Sequence, residues 1–382
     1  MKQHIRVLVC TALLGLAAGA RAEVTALVTV EPTSRQEAFM LSRSVMESSL
    51  GQLVSQPVSV TKSEELADAM RATRSGEYDI FIAPAQVAAS ALMRGYELVG
   101  ATDTAEQYVL VGRQKLDSVS AMRGARLYLP QQDSIYTYMA RGMLNASGLS
   151  LKDLVVQHER YPQAGLTALL LGSSDATVVR RRDWEAWNKD YPGLGKVLAT
   201  SGSVPGGFSV VVKKDLPADT RGKLAKWFTS AATACGLKPV TLKPEATEYK
   251  AVAELGLFTP TSLPGAKLVT ASEVRQLLAQ GAVLVDTRTE KEYKTKRVPQ
   301  AIFVPYVEKS LKDVAFDASQ DNFSGVDKLD KTRPTIFSCN GAECWKSYKA
   351  SRVATQKGFR QVYWFRGGLP EWEVEGMGVA SN

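Results

Sequence analysis

Histidine is almost missing from this sequence, and cysteine is scarce. Of 382 residues, two are histidine (His4 and His158) and four are cysteine. A histidine-based zinc site or a Ser-His-Asp triad therefore has almost nothing to draw on, and neither a metal nor a cofactor is expected. His158 follows the apolar run Leu154-Val155-Val156 and reads as a strand-end residue. No stretch after residue 22 has 18 consecutive apolar residues, so stable membrane insertion of the main body is not expected. A basic stripe interleaved with aromatics is missing too. The net charge of +8 includes Lys2, Arg6 and Arg21, which leaves +8 − 3 = +5 for the rest. That is mild for this length, and nucleic acid is set aside as a partner. The densest basic cluster, Arg180-Arg181-Arg182, reads as a solvated face or loop. Repeats and low-complexity tracts are lacking as well.

What is present begins with an export signal over residues 1–22. Lys2 and Arg6 form a positive start, Val7 to Ala20 is uncharged and mostly apolar, and Ala20-Arg21-Ala22 has the A-x-A form of a cleavage site. The mature chain is expected to begin near Glu23 and to reside in the periplasm. Cys10 lies inside the apolar stretch and goes with it. Cys235, Cys339 and Cys344 remain. An odd number in an oxidising compartment leaves at least one unpaired within the chain.

The body, 45% hydrophobic and 23% charged, suits two or three globular domains. Val24–Val30, Val58–Val60 and Asp79–Ile82 read as strands, the last stopped by Pro84. Helical patterns lie between them, over Arg35–Leu53 and Ser63–Arg74, the second with Ser63 as N-cap. This β-α-β-α-β order implies parallel strands with crossover helices. Arg126–Pro130 starts a second set, to which Thr177–Val179 and Phe208–Val212 add strands. Two α/β lobes are expected over residues 23–257. Residues 258–265, with Pro260, Pro264 and Gly265, read as a linker. A third α/β domain fills 266–382, starting with a helix over Ala271–Gln280 and a strand over Ala282–Val285.

The segment with most chemistry is Thr335-Ile336-Phe337-Ser338-Cys339-Asn340-Gly341-Ala342-Glu343-Cys344-Trp345-Lys346-Ser347. An apolar strand runs into a cysteine, a short loop follows, and a helix is predicted from about Ser347 to Gln356. Amides at such a loop and helix start point inward, so a thiolate or an anionic persulfide on Cys339 would be stabilised there. Lys346 adds a full positive charge. Cys344 could close a disulfide with Cys339, resolve a persulfide or sulfenic acid on it, or simply face the loop interior.

This region resembles the rhodanese superfamily from about Lys267 to Val379. Leu284-Val285-Asp286-Thr287-Arg288 followed by Glu292-Tyr293 is similar to the family's opening strand and turn. Arg297-Val298-Pro299-Gln300-Ala301 sits where the family has a histidine-containing segment, with arginine in place of the histidine. Ile336-Phe337-Ser338-Cys339 matches the strand into the active-site loop, and Gly367-Gly368-Leu369-Pro370-Glu371-Trp372 the closing motif. The resemblance implies a central parallel sheet and a cysteine, Cys339, that cycles between thiol and persulfide. Asn340, Gly341, Ala342, Glu343 and Trp345 then belong to the active-site loop, and Asp286 and Arg288 to its structural support. The loop is about two residues longer than usual and has Lys346 where arginine is usual, without arginine's bidentate hydrogen bonding. Persulfides therefore stand beside thiosulfate as candidate donors.

Residues 24–255 resemble periplasmic solute-binding proteins of the phosphate/phosphonate ABC-transporter type. The matching pieces are Gly76–Ala85, Met122–Pro130, Gly172–Ala176 and Val211–Pro217. The resemblance implies a two-lobed (type 2) α/β domain with a small ligand between the lobes, near helix N-termini. Candidate ligand residues are Thr33 and Ser34 in the loop after Glu31, Pro84 in the second loop, and Ser134, Tyr136 and Thr137 in the third. Ser134 also reads as a plain helix N-cap. Asp133 would repel a doubly charged phosphonate, which favours a singly charged or zwitterionic ligand whose amino group it could meet. Tyr136 and Tyr138 cannot share one helix face, so one core residue at most is expected of the two. Two readings follow. One is an exported sulfurtransferase fused to a module for a small anionic or sulfur-containing ligand, with a transporter permease or a periplasmic sulfur acceptor as partner. The other is a transport or sensory receptor whose Cys339–Cys344 pair is a redox or non-catalytic element.

Overall fold

The computed structural model describes residues 23–32, 42–103, 105–240 and 244–381. The expected export signal, with Cys10, lies outside the described residues, and so do Thr33 and Ser34. No described helix is long and apolar enough to cross a membrane.

Three five-stranded sheets carry the fold. In the first, Val24–Thr29 is flanked in parallel by Val58–Ser63 and Ile80–Ala83. Ser209–Lys213 then pairs antiparallel with Ile80–Ala83, and Tyr96–Ala101 closes the order antiparallel to it. The second sheet repeats this arrangement. Arg126–Leu129 lies between the parallel strands Val155–His158 and Ala176–Arg180, followed by antiparallel Tyr108–Arg113 and Gly195–Thr200. The chain leaves the first lobe after Ala101 and returns with Ser209, so two crossings join the lobes. Ile80–Ala83 is buried at every position, as a strand covered by helices on both faces must be. That is why it reads as an unbroken apolar run.

The third sheet is all parallel. Its order is Lys267–Leu268, Val362–Phe365, Thr335–Ser338, Val283–Asp286 and Ile302–Phe303. Asp286 pairs in register with Ser338, so the loops that begin at Thr287 and Cys339 leave the sheet side by side. The Thr287 amide and hydroxyl both donate to the Ser338 carbonyl, at 3.1 and 2.8 Å. Parallel strands thus deliver the cysteine loop and the Thr287–Glu292 turn to one place, outside the strand ends where α/β sheets bind ligands.

Two element boundaries differ from the sequence reading in ways that matter. Ser63 is not a helix cap: it ends the strand Val58–Ser63, and the helix is Leu66–Ser75 with Glu65 as N-cap. Ser63 Oγ instead accepts from the Glu65 amide at 3.1 Å, a local turn that competes with capping. The helix after the cysteine loop begins at Trp345 rather than Ser347, with Cys344 as its N-cap. Lys346 therefore belongs to the first helical turn. Within residues 258–265, Thr259 and Leu263 are buried, and Thr259 donates through both its amide and its hydroxyl to the Ala342 carbonyl, at 2.8 and 2.7 Å.

Candidate active site between two modules

Glycines shape the cysteine loop from two sides. Gly341 has φ of +90°, a left-handed conformation that lets the loop reverse. Gly368, at φ +60°, comes so near that a Cβ there would lie 2.1 Å from the Cys339 carbonyl oxygen. The Leu369 amide donates to that same oxygen at 3.0 Å. Cys339 and Cys344 are joined as a disulfide across the loop, with Cα atoms 6.1 Å apart, inside the span such a bond needs. The free cysteine among the described residues is Cys235, buried in the first lobe. No group of three or more His, Cys, Asp or Glu that could hold a metal occurs among the described residues.

Four residues between Asn340 and Trp345 are held from outside the loop. Asn340 donates to Glu292 Oε1 at 2.5 Å and accepts from Arg288 Nη1 at 3.2 Å. Arg288 is fixed by Asp286 through Nε at 2.9 Å and Nη2 at 2.6 Å, a buried fork that the two-residue spacing makes possible. Glu292 caps its own helix by accepting from the Thr289 amide and hydroxyl. Those bonds, with Arg71 and Arg288 nearby, outweigh burial and hold its carboxyl below the ordinary range. Ala342 is tied to Thr259, and Trp345 Nε1 donates to the Leu257 carbonyl at 3.0 Å. Glu343 is buried and meets Arg94 at 2.7 Å and Arg74 at 3.8 Å, both from the first lobe.

The loop opens on a cavity of about 450 Å³. Cys339, Cys344 and Lys346 line one wall. Arg71 and Arg74, on the helix Leu66–Ser75 of the first lobe, line the other. No hydrogen bond or ion pair to a described residue engages Lys346. Burial depresses its ammonium below the ordinary lysine range. Glu292 and Glu308 oppose that shift, and Arg71 and Arg74 add to it.

A second cavity of about 400 Å³ lies between the two lobes and is lined by Glu31, Pro84, Tyr108, Tyr136, Arg182 and Lys238, among others. Here the start of the helix Ile135–Ala146 is already engaged. Glu31 accepts from the Ile135 amide at 2.8 Å, from Ser134 Oγ at 2.7 Å and from Gln86 Nε2 at 2.6 Å. Burial raises the Glu31 carboxyl pKa in spite of these donors. Ser134 is also the N-cap, accepting from the Tyr136 amide, so its hydroxyl has no donor left over.

The third candidate loop is thus spread over several tasks. Thr137 points its hydroxyl back to the Gln131 carbonyl at 2.9 Å and does not line the cleft. Tyr136 does line it, edge-on to Tyr108. Both Tyr136 and Tyr138 are buried, against the expectation of one core residue, because this helix is enclosed on two sides. Tyr138 packs under Arg141 with the guanidinium 4.4 Å from its ring. The amino group that Asp133 meets is not a ligand's but that of Lys312, from the third domain, at 2.5 Å. Lys312 holds the Asp133 carboxyl below its ordinary range although burial works the other way. The sequence reading passed over Arg71, Arg74 and Lys312. Arg71 and Arg74 share a helix face at three-residue spacing, a signal that does not tell what the face meets.

Comparison with known proteins adds the family. Residues 28–261, well over half of the chain, match the model of the ABC transporter, phosphonate, periplasmic substrate-binding protein family. The chain belongs to that family. Its C-terminal part, residues 270–375, matches the rhodanese-like domain, so a phosphonate-binding-type module and a rhodanese-like domain share one chain. Solved structures similar to this binding-protein chain include PhnD1 from Prochlorococcus marinus (MIT 9301) in complex with methylphosphonate. It is 15% identical with a TM-score of 0.47, over 61% of this chain and 97% of that one. A binding protein component of an ABC phosphonate transporter from Pseudomonas aeruginosa is 15% identical with a TM-score of 0.42, over 57% and 80%. The periplasmic aliphatic sulphonate binding protein SsuA from Escherichia coli is 15% identical with a TM-score of 0.36, over 61% and 78%. No curated protein matches the chain.

Proposed function

We propose that this binding-protein chain is an exported sulfur carrier, with Cys339 as the sulfur-carrying nucleophile of its rhodanese-like domain and Cys344 as the thiol that resolves it. One observation carries the reading: the two cysteines are bonded to each other at the start of a helix, on the wall of a cavity. The disulfide is the oxidised resting form, and an external dithiol reductant opens it to two thiols. The helix start has no side-chain cap, so its free amides favour a thiolate on Cys339.

In the loading step the Cys339 thiolate attacks the outer sulfur of a donor. The bond between that sulfur and the rest of the donor breaks, the leaving group keeps the electron pair, and Cys339 becomes a persulfide. Discharge has two routes. An acceptor thiolate can take the terminal sulfur, which returns Cys339 to the thiolate. Otherwise the Cys344 thiolate attacks Cys339 Sγ, the disulfide re-forms, and hydrosulfide leaves with the electron pair and the persulfide proton. The second route oxidises the dithiol by two electrons and reduces the carried sulfur by two.

The disulfide also favours a second reading, in which the pair performs dithiol–disulfide exchange alone and carries no sulfur. Mass spectrometry separates the two. The reduced chain is incubated with thiosulfate or with a low-molecular-weight persulfide, and a gain of one sulfur (about 32 Da, the mass of sulfur) is sought on the Cys339 peptide. Its absence with both donors, while the disulfide still cycles, removes sulfur carriage and leaves exchange. A transporter permease or a periplasmic acceptor protein as partner, the range of donors, and the division of the chain into residues 23–257 and 266–382 at the 258–265 segment belong to this proposal.

A further inference from the structure

We propose that the solute-binding module gates the cysteine pair. The rhodanese-like domain is fastened to both lobes, so the arrangement of the lobes sets whether a protein dithiol can reach the Cys339–Cys344 disulfide. The inference needs only that disulfide and holds whether or not Cys339 carries sulfur.

The cysteines are covered where they stand. Cys339 is 2% and Cys344 6% exposed, and the cavity of about 450 Å³ beside them has the first-lobe helix Leu66–Ser75 as its far wall. A space of that size suits a small molecule. A folded reductant must bring its own thiolate up to the sulfur it attacks, and for that the far wall has to move away. The domain is clasped to each lobe. On the first, Glu343, which lies between the two cysteines in the chain, accepts from Arg94 Nη2 at 2.7 Å, and Lys291 adds a pair with Glu77. On the second, the Lys312 ammonium meets Asp133 at 2.5 Å and the Lys312 amide donates to Gln132 Oε1 at 3.0 Å. Lys312 is in turn tied back to the cysteine helix. The Ser310 carbonyl and hydroxyl accept from the buried ammonium of Lys349 at 3.0 and 2.8 Å, and Lys349 belongs to Trp345–Gln356, the helix that Cys344 caps.

Gln132 and Asp133 lead straight into the turn on which the lobes meet. Glu31 of the first lobe accepts from Ser134 and Ile135 there, and Gln86, also of the first lobe, donates to the Asp133 carbonyl at 3.0 Å. When the lobes part, this turn moves relative to Arg94. A rigid domain bonded to both cannot follow both, so a clasp opens. The Lys312–Asp133 pair is largely buried, and a buried pair separates as a whole instead of stretching, because each charge alone is costly there. The shielded and the reachable disulfide are then discrete states, biased by what holds the lobes together. In the reachable state the thiolate of a protein dithiol attacks one of the two sulfurs. The Cys339–Cys344 bond breaks, and the departing cysteine keeps the electron pair and takes a proton. The second thiol of the reductant then closes its own disulfide and frees the other cysteine.

The test uses the full oxidised chain. It is reduced with dithiothreitol and, separately, with a thioredoxin-type protein dithiol, and the thiols that appear are counted by mass after alkylation. Lys312→Met opens the clasp to the second lobe. Glu31→Ala loosens the lobes from within the interlobe cleft, whose lining among the described residues comes from the two lobes alone. Each variant is expected to speed reduction by the protein dithiol about tenfold or more, with a smaller change for dithiothreitol. Lys357→Met removes an exposed pair with Asp327 in the rhodanese-like domain and is expected to change neither rate. General loosening of that domain would speed both reductants alike, so the ratio of the two rates is the readout, and Glu31→Ala decides the matter should Lys312→Met melt early. An unaltered ratio in Glu31→Ala, an equal acceleration with both reductants, or a faster rate in Lys357→Met overturns the proposal.

Discussion

In the interlobe cleft, the start of the helix Ile135–Ala146 has a carboxylate seated on it, Glu31, held by an amide and the Ser134 hydroxyl. In the cleft beside the rhodanese-like domain, the start of the helix Trp345–Gln356 has no side-chain cap, carries Lys346 in its first turn and faces Arg71 and Arg74 across the cavity. Both places use the partial positive charge of a helix start. In one the chain supplies the anion itself. In the other no carboxylate sits on the helix start, and the Nε of Arg74 across the cavity is left without a partner. The difference teaches that a two-lobed binding fold can satisfy its cleft internally and leave a helix start uncapped where another domain docks.

The largest effects are expected at the cysteines. Cys339→Ser should lose sulfur loading completely, whereas Cys344→Ser should load but release no sulfide unless an external thiol is added. Sulfide assays and peptide mass spectra read both results. Equal loss in the two variants would mean that the pair acts only as a redox couple. Next in size is the interlobe cleft. Glu31→Ala vacates the helix start, so a small oxyanion such as inorganic phosphate at a hundred times its Kd should stabilise that variant by about 2.7 kcal/mol and leave the unaltered chain unmoved. A comparable shift in the unaltered chain would break the comparison, because the cradle would then accept a ligand despite Glu31.

A smaller effect is a pH dependence. Lys346 is held below the ordinary lysine range by burial, with Arg71 and Arg74 adding to the shift. Its protonated form attracts an anionic donor, so KM for thiosulfate should rise as the pH climbs through that lowered pKa, at pH values under the ordinary lysine value of about 10.4. Lys346→Met should flatten that limb. The stability term has its own sign. The folded chain binds fewer protons at Lys346 than the unfolded chain, so the cost of this group is greatest at low pH and fades as the pH rises through the window. A bound anion narrows the window by drawing the lysine pKa back up. The smallest effect is expected at Thr259, whose hydroxyl donates to Ala342 and accepts from Arg366. Thr259→Val should cost about 1 kcal/mol in a denaturant melt. An unchanged midpoint would show that the segment 258–265 does not steady the cysteine loop.

Much of the architecture was legible without coordinates because it rests on short-range chemistry. Ile80–Ala83 is an unbroken apolar run, and Thr335–Ser338 is buried at every position, because parallel strands covered on both faces turn no side to solvent. A cysteine after such a run, with a glycine two residues on, can only open a turn. The start of the next helix was placed two residues late, since Cys344 offers no side-chain cap to mark it. Ser134 was readable as an N-cap, yet the carboxylate that accepts the hydrogen bond of its hydroxyl lies just beyond a distant strand, and the pairing of Asp133 with Lys312 crosses between modules.

What the sequence determined by itself is the set of units: two alternating α/β lobes, a proline-bracketed segment, and an apolar strand that runs into a cysteine loop and a helix, the parallel sheet around it being implied by the family resemblance. Periodicity, glycine and proline report on neighbours within a few residues, and those units are built from such neighbours. Only the tertiary structure decided which charges meet. Arg71 and Arg74 are surface-type residues in their own helix until the rhodanese-like domain covers them, and Glu31 is an ordinary loop acid until Ile135 and Ser134 turn toward it. Charge pairing depends on distance in space and on the burial of both partners, and neither quantity exists until the modules have docked.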